Sequence, residues 1–124
     1  MLDAKGLVLM QRENGILTDE LGSYEIESGL EFVYKAYVEL DTVKLFLTTD
    51  RDVEDEEYNE IYDNYNLEGL EKLGFEVEEI EDEYNPVWCI KFRFEEEYST
   101  VESSLKDAIS FHVNELKRIY SELK

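Results

Sequence analysis

A fourteen-residue stretch of the sequence combines carboxylates and aromatic rings at a density that suggests chemistry. Residues 53–66, VEDEEYNEIYDNYN, contain six acids and three tyrosines and no base. Clustered carboxylates bind metal ions, act as acid–base pairs or attract a basic partner. The sequence therefore poses a choice among a metal site, a catalytic site and a binding surface.

A calcium loop is the first of these options, because residues 50–61 begin Asp50-x-Asp52-x-Glu54, as an EF-hand loop does. The sixth position is Asp55, where the sharp turn of such a loop requires glycine. The twelfth is Ile61, where a bidentate glutamate is required. The pattern favours a solvated helix start, and we expect no metal and no other cofactor.

Catalysis needs carboxylates in a cleft with their pKa values driven apart, whereas acids this dense on amphipathic elements mostly face water. His112, the only histidine, lies on the apolar stripe of a predicted helix, so the sequence indicates no Ser/His/Asp or Cys/His set, and a metal site built from His and Cys would need more than the single Cys89 and His112. Cys89 lies in an apolar strand-like run and is predicted to be a core residue, whereas His112 is predicted to be a hydrogen-bonded, partly buried histidine. An enzyme with an unrecognised carboxylate site is therefore the third of three hypotheses.

The charge of the chain is extreme and uneven. The 32 acids and 12 bases give a net charge of −20, and residues 52–86 hold fifteen acids with Lys72 as the only base. Such a surface disfavours direct contact with nucleic-acid phosphates or anionic membranes. Cys89 cannot build a disulfide framework, and no apolar run approaches the length of a membrane span. We therefore expect a cytoplasmic protein that binds neither nucleic acid nor membrane directly.

Alternating apolar residues predict a series of strands. Asn14-Gly15 stands between two apolar runs and predicts a tight β-hairpin. Further strands are predicted near 23–27, 31–40, 43–49, 75–80 and 87–94. Turns are predicted at Ser28-Gly29 and Asp41-Thr42. A change of phase near Glu78-Glu79 predicts a β-bulge.

Two segments carry a helical period. Tyr58, Ile61, Tyr62 and Tyr65 follow the spacing i, i+3, i+4, i+7, and the pattern extends toward Gly74 after a break at 64–66. A capping box at 99–102 and an apolar stripe over 105–123 predict a long C-terminal helix. We expect this stripe to pack on the sheet, with a helix-mediated homodimer as the alternative.

These elements predict a single α+β domain over residues 1–124. Its antiparallel sheet has about five or six strands, in the order ββββ-α-ββ-α, with helices packed on one face. The order is similar to that of small bacterial α+β chaperone-like domains that bind other proteins. This analogy extends to the fold alone.

The outward side of the first helix is the predicted interaction surface, formed by Glu54, Asp55, Glu56, Glu57, Glu60 and Asp63. The leading hypothesis is a non-catalytic protein, monomer or homodimer, that binds a basic protein as an adaptor, inhibitor or immunity-type protein. The alternative is a nucleic-acid mimic that inhibits a DNA- or RNA-binding protein. Glu56 and Glu60 lie one helical turn apart, about 6 Å along the axis, which is close to the phosphate spacing of one strand.

Overall fold

A computed structural model describes residues 6–123 as a mixed sheet with helices on one face. Its elements are β1 (Gly6–Glu13), β2 (Ile16–Glu25), β3 (Val33–Glu39), β4 (Thr42–Thr48), α1 (Asp55–Asn64), α2 (Leu67–Lys72), β5 (Glu76–Ile80), β6 (Val87–Arg93) and α3 (Tyr98–Glu122), with a short 3₁₀ turn at Leu30–Phe32. The predicted α+β class and order of elements are confirmed. The first helix is broken in two at residues 65–66, as its pattern indicated.

The β1–β2 hairpin turns where the sequence predicted. Asn14 and Gly15 have φ of 53° and 81°, the positive values that a type I′ turn needs. The separate strand predicted near 23–27 is wrong, because β2 runs unbroken through residue 25. The pairing of β1 with β2 shifts register around Met10, which lets β2 bend. Because of this irregularity, the alternating pattern of β2 does not read as one continuous strand in the sequence.

The expectation of a purely antiparallel sheet is also wrong. The strand order is β2-β1-β3-β4-β6-β5, and β1 pairs with β3 in parallel. Strand β2 returns to the start of β1, and residues 26–32 carry the chain past it, so β3 begins at the same end as β1. Gly29 makes this passage with φ of 97°, and a Cβ there would lie 2.5 Å from Ile109 Cγ2 of α3.

Three local predictions need correction. Strand β5 pairs with β6 without a register shift, so the bulge near Glu78-Glu79 is absent. Val77 faces the core while Ile80 lies on the opposite face of this edge strand. The β3–β4 turn is centred on Leu40-Asp41, both with positive φ, one residue earlier than expected. Helix α3 begins at Tyr98 after Glu97, so the predicted capping box does not form.

One core cluster joins all three helices to the same face of the sheet. Ile61 of α1, Leu70 of α2 and Leu105 of α3 belong to it together with Leu45 and Ile90 of the central strands. The apolar stripe of α3 packs in this core, as expected. In residues 6–123, no helix is long and apolar enough to cross a bilayer.

Candidate functional site

The inner side of α1 packs into the core and is fastened by tyrosine hydroxyls. Ile61 is fully buried. The Tyr58 hydroxyl donates to Glu83 O at 2.9 Å, and the Tyr62 hydroxyl donates to Ile80 O at 2.8 Å. Val87 N donates in turn to Tyr62 Oη at 2.9 Å. These bonds hold α1 against the turn between β5 and β6, so the tyrosines of the acidic stretch are structural.

Two of the predicted acids start the helix. Glu54 is the N-cap, and its side chain accepts from the backbone N–H of Glu57. Glu57 accepts in return from Glu54 N at 3.2 Å, and its Oε2 lies 3.7 Å from Nη2 of Arg51. This reciprocal capping box satisfies the first backbone donors of α1, and the negative charges suit the positive end of the helix dipole.

The remaining four acids point outward. Asp55, Glu56, Glu60 and Asp63 are exposed. Within the described range 6–123, their carboxylates take part in none of the ion pairs or side-chain hydrogen bonds. We call the exposed side of α1 the acidic ridge, formed by Glu54, Asp55, Glu56, Glu57, Glu60 and Asp63. The prediction that the tyrosine rings of α1 face the core and its carboxylates face solvent is confirmed, except that Glu57 is half-buried.

Glu79 of β5 extends the acidic ridge, and sequence reasoning missed it. It pairs directly opposite Trp88, which is fully buried, so it stands on the helix side of the sheet. Partial burial raises the pKa of Glu79, and the negative charges of Asp63 and Glu81 raise it further. Regular alternation along β5 would have placed Glu79 on the same side as Val77. The predicted bulge near Glu78-Glu79 prevented this inference.

The EF-hand-like residues have separate structural tasks. Asp50 Oδ1 accepts from the Tyr120 hydroxyl at 3.1 Å, and Asp52 Oδ1 accepts from Asn85 Nδ2 at 3.1 Å. Glu54 caps α1. The three carboxylates therefore fasten different parts of the fold. Among the described residues, no group of three or more His, Cys, Asp or Glu side chains is placed to hold a metal ion.

Helix α3 clamps the junction between α1 and α2. Glu115 Oε2 accepts from Asn66 N at 2.7 Å, and Arg118 Nη2 donates to Asn64 O at 2.6 Å. Glu115 and Arg118 also form an ion pair with each other. Since Glu115 is only 8% exposed, this clamp is rigid, and it fixes the C-terminal end of the acidic ridge.

His112 of α3 links three elements beneath the clamp. Its Nε2 donates to Thr48 O of β4 at 2.7 Å, because a carbonyl oxygen can only accept. Nδ1 must then accept from the Tyr65 hydroxyl at 2.8 Å. Burial lowers the pKa of His112 to about 4, so the ring is neutral at pH 7. Both ring nitrogens are hydrogen-bonded, as predicted, but the side chain is fully buried rather than partly buried.

The fold and the acidic ridge together define a two-layer α+β protein with a carboxylate-rich helix on its surface. The chain belongs to a family of unknown function, DUF6762, whose family model matches residues 2–124. Comparison with curated proteins found no match, and comparison with solved structures found none either.

The unpaired carboxylates of the ridge predict a stability that depends on salt. We expect the melting temperature to rise from low to moderate sodium chloride, because salt screens repulsion between these acids over a Debye length of about 10 Å at 0.1 M. A triple variant, Glu56→Gln, Glu60→Gln and Asp63→Asn, should melt higher at low salt and respond less to added salt. A wild-type melting temperature that stays flat or falls would show that repulsion does not limit stability.

Proposed function

We propose that the protein is a non-catalytic, cytoplasmic binding protein whose acidic ridge docks onto a basic surface of another protein, as an adaptor, inhibitor or immunity-type protein does. The observation that carries the proposal is the set of four exposed carboxylates, Asp55, Glu56, Glu60 and Asp63, with no ion-pair partner in residues 6–123. A basic partner would supply the missing counter-charges.

Rigidity of the ridge supports this proposal. Helix α1 is capped by Glu54, fastened on its inner side by the Tyr58 and Tyr62 hydroxyls, and clamped at its end by Arg118. Carboxylates on a pre-ordered helix lose little backbone entropy on binding, which favours affinity. The strong negative field of the chain would also accelerate the approach of a basic partner.

A nucleic-acid mimic is the second candidate, and the spacing on α1 favours it. Glu56 and Glu60 are exposed one turn apart, about 6 Å along the axis, and Asp63 continues the row. Such a row would occupy a cleft that normally binds phosphates. This candidate differs from the first in one testable way, because DNA or RNA would compete with the protein for its partner.

The test is affinity capture with a matched pair of charge variants. The ridge variant carries Glu56→Gln, Glu60→Gln and Asp63→Asn. The control carries Glu13→Gln, Asp19→Asn and Glu25→Gln, three exposed acids on the β1–β2 hairpin, and loses the same charge. Each protein is immobilised and exposed to native lysate at low and high salt, and the captured partner is identified. The purified partner is then titrated against the wild type and against each variant.

We expect the ridge variant to bind the purified partner at least about tenfold more weakly, with a smaller salt dependence, and the control to bind as the wild type does. Competition of the partner by duplex DNA or by RNA would select the mimic. Equal binding by both variants and the wild type would refute a role for the acidic ridge.

A further inference from the structure

A groove on one flank of α3 combines an apolar floor with basic side chains. One wall is the segment 26–28, which follows β2, and the other is the flank of α3 from Lys106 to Lys117. The volume of the groove is about 290 Å³, close to the lower end of the roughly 300–1,000 Å³ that is usual for small-molecule pockets. We call the space between these two walls the α3 groove.

The floor of the α3 groove is apolar and is fixed by the core. Ile26 and Ile109 are each 2% exposed and belong to the core cluster, and Val113 packs against that cluster. Gly29 lets the chain after β2 approach α3 closely, because a Cβ at this residue would lie 3.3 Å from Val113 Cγ2 and closer still to Ile109. The groove is therefore pre-formed, as small-molecule sites usually are.

Polar residues of α3 form one edge of the groove. At 100° per residue, Lys106, Ser110 and Lys117 lie within about 40° of one another around the helix. The two lysines stand at the ends of the groove, about 16 Å apart along the axis, with Ser110 and Asn114 between them. All four are exposed. Ammonium, hydroxyl and amide groups can all donate hydrogen bonds, so this edge offers donors to an anionic group along its whole length.

The lysines of the α3 groove lack the partners that most bases of this chain have. Within residues 6–123, the bases with neither an ion pair nor a contact with an aromatic ring are Lys72, Lys106 and Lys117. Two of these three line the groove. Glu27 is the one acid in the described lining, and it pairs with neither lysine. Two lysines and one glutamate leave the groove locally positive on a chain of net charge −20.

The geometry points to the α3 groove as a binding site for a small amphiphilic anion, a molecule that carries a carboxylate or phosphate group on an apolar chain. The anionic group lies against the ammonium of Lys106 or Lys117, because ammonium groups form charge-assisted hydrogen bonds with both carboxylates and phosphates. The apolar chain covers Ile109 and Val113 between the two lysines and removes their surface from water. A cation at the edge and an apolar floor together define this ligand class.

The negative charge of the whole chain makes the α3 groove selective among anions. An anion without an apolar chain is repelled by the net charge of −20 and gains only the contact with a lysine, whereas an amphiphilic anion also buries its chain. The groove is separate from the acidic ridge, because Glu115, which clamps the end of α1, lies about 180° around α3 from Lys106. The inference therefore goes beyond the proposed function and does not depend on it.

The test is a titration of the full chain at fixed ionic strength, followed by the NMR chemical shifts of its backbone amides. The probes are octanoate and octyl phosphate, with octanamide as an uncharged molecule of the same shape and inorganic phosphate as an anion without a chain. We expect octanoate or octyl phosphate to shift the amides of residues 26–28 and 106–117 saturably, with a Kd on the order of a few millimolar or below. Octanamide and inorganic phosphate should each bind at least about tenfold more weakly. The tighter of the two amphiphilic anions identifies the anionic group that the site prefers.

Charge variants then locate the site. Lys106→Gln with Lys117→Gln should weaken binding of the tighter amphiphilic anion at least about tenfold. The matched control, Lys72→Gln with Arg93→Gln, removes the same charge at exposed positions outside the groove and should bind as the wild type does. Ser110→Trp fills the groove from an exposed position and should weaken binding without a change of charge.

Four results would overturn the proposal. They are octanamide binding as tightly as both anions, equal losses in the two charge variants, a Ser110→Trp variant that binds as the wild type does, and no saturation of the shifts in the α3 groove by about 50 mM of either anion.

Discussion

Ile61→Ala should lower the free energy of unfolding by about 2–4 kcal/mol, the usual range for truncating a fully buried isoleucine. Ile61 is the most deeply buried residue of α1 and belongs to the core cluster. Its truncation leaves a cavity that the tyrosine bonds on either side keep from collapsing. Urea unfolding at pH 7.5 measures the change directly.

The control for this prediction is Glu60→Ala, one residue away on the exposed side of the same helix. A surface substitution of this kind should change the free energy of unfolding by no more than about 0.5 kcal/mol. Comparable losses in the two variants would mean that α1 does not bury one face. The acidic ridge would then lack the anchored helix on which its proposed role depends.

Local chemistry made several elements predictable. The positive φ of Asn14 and Gly15, the helical spacing of Ile61 and Tyr65, and the helix stop at Gly74 follow from residue types within a few positions. Such signals need no knowledge of distant parts of the chain. They were sufficient to give the fold class and the order of strands and helices.

Long-range pairing was not predictable in this way. The parallel contact between β1 and β3 depends on the path of residues 26–32, where Gly29 passes close to Ile109 of α3. Nothing within the β1 or β3 sequence distinguishes a parallel neighbour from an antiparallel one. The missing capping box of α3 has a similar cause, because the packing of Tyr98 on Tyr24 draws the helix start to an earlier residue.

The same distinction applies to the surfaces. The acidic ridge is contiguous in sequence and was therefore visible as a charged helix face. The face of the sheet opposite the helices carries Arg12, Lys35, Lys44 and Lys91 from four different strands, so this grouping of bases is visible only from the strand register. The position of Glu79 next to the acidic ridge was also missed, because it depends on the pairing of Glu79 with Trp88 across two strands.

Lowering the pH from 7.5 to 5.5 should destabilise the fold through His112. Its pKa is about 4 in the folded protein and 6.5 in the unfolded chain. Above pH 6.5 the ring is neutral in both states, and its contribution to stability is fully present. Between pH 6.5 and 4 the unfolded chain binds a proton that the folded protein does not, so the free energy of unfolding falls as the pH falls. The total loss is roughly 3 kcal/mol, of which somewhat less than half appears by pH 5.5.

His112→Gln isolates this effect, because a glutamine amide can donate to Thr48 O as the Nε2–H of His112 does but does not titrate. Glu79 acts in the opposite direction. The raised pKa of Glu79 lets the folded state bind a proton first, which stabilises the fold as the pH falls. Urea unfolding of the variant should therefore be flat or slightly rising between pH 7.5 and 5.5, while the wild type loses stability. Parallel pH profiles for the two proteins would mean that His112 is solvated in the folded state, and the buried link among Thr48, His112 and Tyr65 would then be wrong.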